Sequence, residues 1–441
     1  MAIYRCAHAW VDGAVLDEVD VLVEDGRITA VQPARLVGDI VRLNGLVLPG
    51  FANAHSHAFH RALRGRTHED GGTFWTWRAA MYALASVLDP DSYLALARAT
   101  YAEMALSGIT CVGEFHYLHH QPDGRPYADP NAMAQALRQA AREAGIRLTL
   151  LDACYLAGGL GTRGSLPLLP EQARFGDGSV QAWVQRVSML DEDEGMRVGA
   201  AIHSVRAVPR DAMAAIAEWA GGRPLHAHLS EQVAENLACQ QAYGCTPAEA
   251  MHEAGALGTN ATMVHATHLT GPDIALLGRT GTTACFCPTT ERDLADGIGP
   301  ARALLEAGSP LALGTDQHAL IDPIEEARAL EMHERLSTGE RGRLAPADLV
   351  HALTAAGHRS LGWPDAGSIQ VGARADLVCL DLNSVRTAGC SPEQALLAAS
   401  SADVTDVICD GRPIVRAGRH ALGDVGRALQ VAIRACWARM S

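Results

Sequence analysis

The chain has 441 residues, 48% of them hydrophobic, enough to bury a large core in one big domain with a smaller companion. Charged residues make up 20% and the formal net charge is −14, which argues against an electrostatic grip on nucleic acid or on a membrane surface and leaves a small molecule or another protein as partner. All 36 basic residues are arginine, so Schiff-base chemistry, a pyridoxal-phosphate anchor and a Walker-type phosphate loop are excluded for want of a lysine.

In chain order, residues 1–48 alternate apolar and polar positions around turns such as Asp25-Gly26, which predicts short antiparallel strands. Residues 49–366 change rhythm: short apolar runs at 46–55, 109–117, 146–155, 196–206, 224–231, 262–268, 282–290 and 311–318 alternate with helical stretches such as 92–107, 130–144, 211–220 and 323–336. Eight such repeats close a (β/α)₈ barrel; the alternative, an open doubly wound sheet, lacks a glycine-rich dinucleotide fingerprint. The first connection, 58–89, is far longer than usual and is expected to be a lid or a substrate wall. Strand texture returns at 367–420, and the two β-rich ends are expected to pair into one small β-sandwich domain, followed by a C-terminal helix within 421–441. The fold class is thus α/β, a TIM-like barrel with a terminal β domain. Eleven scattered cysteines without a CxxC pair read as reduced core residues, and no apolar run reaches membrane-spanning length, so a cytoplasmic protein is expected.

The chemistry is expected where barrel strands end. In His55-Ser56-His57 the two-residue period of a strand puts both imidazoles on one face, able to chelate one ion. A lone HxH pair is equally compatible with a surface or satisfied core role. Here a buried-strand run delivers it, and further strands deliver His228 with Glu231, His265 and Asp316 in the same way. Imidazole and carboxylate donors without thiolates suit one divalent metal, Zn²⁺ or alternatively Fe²⁺, with an open position for water. The alternatives are a structural metal or none. His119-His120 are expected in a solvated loop, and His226 as a buttress of His228.

The ligand order of HxH, His, His and Asp, wrapped by terminal β segments, resembles the amidohydrolase superfamily. With no lysine to carry the bridging carbamate of its two-metal members, a mononuclear centre of the deaminase type is implied. The stretches Asn53 to Phe59, Phe74-Trp75-Thr76-Trp77-Arg78, Glu114-Phe115-His116-Tyr117, His203-Ser204-Val205-Arg206, Val264 to His268 and Cys287-Pro288-Thr289-Thr290-Glu291 are further similar to the formimidoylglutamate deiminase family. That resemblance implies metal ligands His55, His57, His228 and Asp316, a proton shuttle at Glu231, an assisting His265, and substrate contacts from Arg78, Tyr117, His203 and Arg206; in the mechanism expected of these residues Asp316 also takes a proton from the bound water. It also implies a homodimer. Two positions depart from the family: His60 stands where Gln is usual, and Gln317 follows the aspartate where Ser is commoner. His60 can still donate to a carboxylate and stays a binding candidate.

The substrate so implied, N-formimino-L-glutamate, is a dicarboxylate, and Arg78 and Arg206 can each clamp a carboxylate bidentately. Arg78 is otherwise a solvated loop charge and Tyr117 a packing residue. One rival reading is a mononuclear aminohydrolase of a purine or pyrimidine base or an S-adenosyl-type nucleoside, which would want an aromatic pocket. Aromatics are only 5% of the chain, with Trp75 and Trp77 as candidates for such a wall. A second is an inactive barrel serving as a binding or scaffold protein.

Overall fold

The computed structural model describes residues 1–68 and 72–440, apart from the side chains of Phe74 and Trp75. Apolar runs too short for helices become the eight strands Phe51–Ser56, Ile109–His116, Arg147–Cys154, Met196–Ile202, Leu225–Leu229, Ala261–His265, Thr283–Phe286 and Leu311–Leu313. They lie side by side in chain order, each parallel to the next. Every residue of the first three is buried, as in strands covered on both faces. The last meets the first. His55 O accepts from Thr315 N (3.1 Å) and Asp316 N (3.0 Å), and His57 N donates to Asp316 O (3.1 Å), closing the barrel along a narrow seam.

The connecting helices carry their own start and stop signals. Pro90–Leu106 begins behind Asp89, whose carboxylate accepts from Ser92 N at 2.9 Å, with proline in its first turn. Pro323–Thr338 begins behind Asp322 and ends at Gly339, which takes the left-handed conformation (φ 73°) that favours glycine.

The two chain ends form one continuous mixed sheet of eight strands, with Ile40–Pro49 pairing antiparallel to Leu377–Leu380 where the N- and C-terminal halves join. This sheet curls on itself around Tyr4, Cys6, Val21, Ile28, Leu377 and Ile408. The Tyr4 hydroxyl donates to Gly411 O (3.2 Å), and the Asp25-Gly26 turn packs against Asp410. The expected sandwich is therefore made by a single folded-over sheet.

Several strand bounds differ from the sequence reading. The run 46–55 is two strands, not one: Ile40–Pro49 belongs to the terminal sheet and Phe51–Ser56 to the barrel. The chain passes between them at Gly50, where an added Cβ would overlap Thr110 Oγ1 (2.4 Å) and Asp376 Cβ (2.7 Å). The runs 196–206 and 311–318 end as strands at Ile202 and Leu313, and 282–290 ends at Phe286, because Pro288 opens the helix Pro288–Asp293.

The long first connection holds a 3₁₀ turn, Ala58–Leu63, and the helix Phe74–Val87. The C-terminal helix Val425–Met440 clasps this region: Trp437 Nε1 donates to Ala62 O (2.9 Å) and Arg439 pairs with Asp89 (2.9 Å). Among the described residues no helix is long and apolar enough to cross a membrane.

Candidate metal centre

The seam brings the predicted donors together. His55 lies at the end of the first strand and His57 just past it, His228 lies on the fifth and Asp316 just past the eighth. His55 Nε2 is 3.1 Å from His228 Nε2 and 3.3 Å from Asp316 Oδ1, and His57 Nε2 is 3.4 Å from the same oxygen. Two of the rings are oriented from behind: His57 Nδ1 donates to Phe115 O (2.9 Å) and His228 Nδ1 to His203 O (2.7 Å). Those bonds place the protons on Nδ1, so the Nε2 lone pairs face inward. Burial holds His57 and His228 neutral, well below the ordinary imidazole range. Burial also pushes the Asp316 carboxyl up, but the His55 hydrogen bond and the nearby His265 and His57 carry it well below the usual carboxylate range. Neutral imidazole lone pairs meeting an ionised carboxylate repel one another unless a cation lies between them. The residues therefore fit one divalent ion.

His265, at the end of the sixth strand, joins the same cluster. Its Nε2 is 3.9 Å from Glu231 Oε1 and its Nδ1 is 3.4 Å from Glu291 Oε1. Burial works against its charge, yet Glu231, Glu291 and Asp316 together raise it to about 10. The backbone here is strained: Ser230, His265, Ala266, Asp316 and His318 all have positive φ, between 40° and 71°. Such residues cost about 1–3 kcal/mol each and persist where the surroundings fix them.

A layer behind the ligands holds the seam. Asn53 donates to Thr315 Oγ1 (2.7 Å) and accepts from Thr315 N (3.0 Å), tying the first strand to the end of the eighth. Glu114 faces away from the cleft and accepts from Ser56 Oγ and Ala58 N, both at 2.7 Å, on either side of His57. Its complete burial pushes its carboxyl up to about 8.

The metal cluster opens into a cleft of about 730 Å³, counting its mouth, and each expected substrate contact lines it: His60, Arg78, Tyr117, His203 and Arg206. Arg78 stands on the helix Phe74–Val87, so the long connection does form a wall, and its Nε donates to Tyr82 Oη (2.6 Å). His60, driven down to about 3 by burial, is neutral and shares a 2.9 Å hydrogen bond with Tyr117 Oη. The His203 ring lies edge-on to Tyr155, 4.5 Å between centroids. Arg206 donates through Nε to Glu235 Oε2 (2.7 Å) and through Nη2 to Glu231 Oε2 (3.3 Å). The Trp75 side chain lies outside the described residues.

Some polar residues lie elsewhere than the sequence suggests. His119 and His120 are buried, not solvated, because Ala153 O accepts from His119 Nε2 (2.8 Å), Asp177 pairs with His120 (3.0 Å) and Arg174 O accepts from both backbone N–H groups. His226 does not buttress His228; it donates to Ser360 O (3.0 Å) deeper in the barrel. Tyr82, Tyr155, Gln172, Phe175 and Glu235 were given no role by sequence, although Gln172 bonds both Tyr82 and Tyr155 beside the cleft. Only the acid four positions after Glu231 offered a signal, and it reads like any helix-start glutamate.

A barrel rim built this way is that of a metal-dependent hydrolase acting on carbon–nitrogen bonds. Residues 46–414 match the model of the amidohydrolase family, and the chain belongs to that family. It is 38% identical over 415 residues, 90% of each chain, to formimidoylglutamate deiminase of Pseudomonas aeruginosa, so the resemblance read from the motifs extends along nearly the whole sequence. It is 28% identical over 415 residues, 88% of each chain, to the 8-oxoguanine deaminase of the same species. Among solved structures it is similar to an amidohydrolase from Brucella melitensis (31% identity, TM-score 0.92, covering 99% of this chain and 100% of that one). Another is an adenosine deaminase from Xanthomonas campestris with bound zinc (25% identity, TM-score 0.84, covering 100% and 98%).

Proposed function

We propose that the protein hydrolyses N-formimino-L-glutamate to N-formyl-L-glutamate and ammonia, a reaction of histidine degradation. The observation that carries this reading is the pair of arginines in the cleft: Arg78 and Arg206 line the same space as the metal donors, in a chain of net charge −14. A dianion repelled by the bulk field needs such local partners. The 38% identity to the Pseudomonas deiminase supports the same substrate.

One divalent ion, zinc or iron, held by His55, His57, His228 and Asp316, would supply Lewis acidity and an activated water at neutral pH. The Asp316 carboxylate accepts a proton from the attacking water. Glu231 carries a proton to the nitrogen that leaves as ammonia, and its Oε1 faces His265 Nε2 across 3.9 Å. His265 donates to the oxygen that gains negative charge at the formimino carbon. Arg78 and Arg206 hold the two carboxylates, with Tyr117, His60 and His203 completing the wall.

A second reading has an observation of its own: Trp77, Tyr82, Tyr117, Tyr155 and Phe175 also line the cleft, an aromatic wall suited to a flat heterocycle. The 28% identity to the 8-oxoguanine deaminase agrees with it. The deciding experiment is release of ammonia and N-formylglutamate by zinc-loaded protein given N-formimino-L-glutamate beside guanine, cytosine and S-adenosylhomocysteine. Formyl product from the formimino compound alone supports the first reading; activity only on a base or nucleoside overturns it, and inactivity toward all four with metal bound points to a binding protein.

A further inference from the structure

Glu235 lies in the first turn of the helix Val233–Tyr243, four residues past Glu231, and is buried although it carries a charge-bearing side chain. Both of its oxygens are committed. Oε1 accepts from Ser230 N (2.9 Å), at the strained residue (φ 50°) that precedes Glu231, and Oε2 accepts from Arg206 Nε (2.7 Å). One carboxylate therefore fixes the backbone that aims Glu231 and one edge of the guanidinium that reaches into the cleft.

The other edge of Arg206 is held differently. Its Nη2 reaches Glu231 Oε2 at 3.3 Å, a longer and weaker bond than the 2.7 Å link to Glu235. Arg206 is thus clamped on one side and loosely lodged against the proton-carrying glutamate on the other. An anion entering the cleft competes for that second side, and the competition costs little because a 3.3 Å bond is what it displaces.

We propose that Glu235 is a positioning residue that holds Arg206 by its Nε edge while the Nη edge passes from Glu231 to a carboxylate of the incoming substrate. Arrival of the carboxylate then releases Glu231 for proton transfer, so the proton carrier is freed only when substrate is in place. The inference rests on the reading that Arg206 binds a substrate carboxylate.

The test uses zinc-loaded full-length protein with N-formimino-L-glutamate. In Glu235→Gln the amide keeps the shape of the side chain, but it has one accepting oxygen where the carboxylate has two, and its NH₂ cannot accept, so one of the links to Ser230 N and Arg206 Nε is lost. Loss of a charged hydrogen bond's worth of orientation should raise KM about ten- to hundredfold. The value of kcat should stay within about threefold, and metal content should remain at one ion per chain. In an Arg206→Ala background, Glu235→Gln should raise KM no further, because the group it positions is gone. Equal KM increases in both backgrounds, or a fall in kcat with KM unchanged, would overturn the proposal and leave Glu235 a structural residue. Should Glu235→Gln fold poorly, Glu235→Asp serves: shortened by one methylene, it should lose the Arg206 link and show the same KM rise. If the native protein shows no activity on the formimino compound, the substrate reading has failed instead, an outcome separate from any of these.

Discussion

Gly314, directly after the last barrel strand, lies opposite His55, and Gly314→Ala should injure both the fold and the metal centre. The new Cβ would stand 2.8 Å from His55 Cβ, 2.8 Å from His55 O and 3.0 Å from Cys287 Sγ. Favourable carbon contacts lie near 3.5–4.0 Å, so roughly 0.5 Å or more must come from moving backbone, since His55 Cβ and O are not the far ends of flexible side chains. The same His55 O accepts from Thr315 N and Asp316 N at 3.1 and 3.0 Å, and that displacement carries both bonds toward the limit of useful length. Overpacking costs about 1–3 kcal/mol and two weakened hydrogen bonds about 1 kcal/mol each, for a combined loss of about 3–5 kcal/mol. Zinc affinity should fall about 10- to 100-fold, the scale seen when a ligand loses its support. Urea unfolding of the metal-free protein reads the first quantity, and zinc competition against a chromophoric chelator the second. Gly222→Ala is the control, because nothing lies within 4 Å of its added Cβ and its φ is not positive. If Gly314→Ala matched the native protein in both measurements, tight closure of the seam would not be what positions His55.

Glu231→Gln should keep the full metal complement while ammonia release falls about 10²–10⁴-fold; near-normal turnover would remove Glu231 from proton transfer. His57→Ala should lose the ion on dialysis, measured by elemental analysis, and retention of one equivalent would take His57 out of the ligand set. Asp20 accepts from Arg5 (2.7 and 2.9 Å) and from the backbone of Arg35 and Leu36 (both 3.0 Å), and the Arg5 hydrogen bond leads in lowering its carboxyl from 3.8 to about 2. A depressed carboxyl contributes stability that is full above its unfolded value and lost as pH falls through its folded one. The stability gap between native protein and Asp20→Asn should therefore be constant from pH 5 to 7 and narrow from about pH 4 toward pH 2; urea titrations showing a gap that widens on acidification would contradict this.

Most of the barrel is legible because apolar runs end in polar residues at the rim, so His55, His57, His228, His265 and Asp316 announce their strands and their shared face together. What stays hidden depends on distant partners. The break at Gly50 leaves no trace in hydropathy, since Leu46–Pro49 and Phe51–Ser56 are both buried; only the approach of Thr110 and Asp376 to Gly50 shows why the chain changes sheet there. His119 and His120 look solvated until Asp177 and Arg174 arrive from more than fifty residues away. The aromatic wall is hidden for the same reason: with few aromatics overall, its strength comes from convergence of separate segments, which composition does not register.

The seam sets an order of events during folding. Its lips are residues 55 and 316, among the most widely separated partners in the barrel, and the metal donors stand on both of them. Contacts between such distant residues are slow to form, and until they do Phe51–Ser56 and Leu311–Leu313 each present an unpaired edge. A chain with an open seam has no assembled donor set, so bound metal reports complete closure. Slower synthesis or lower growth temperature should accordingly raise the yield of metal-loaded protein more than the yield of total protein.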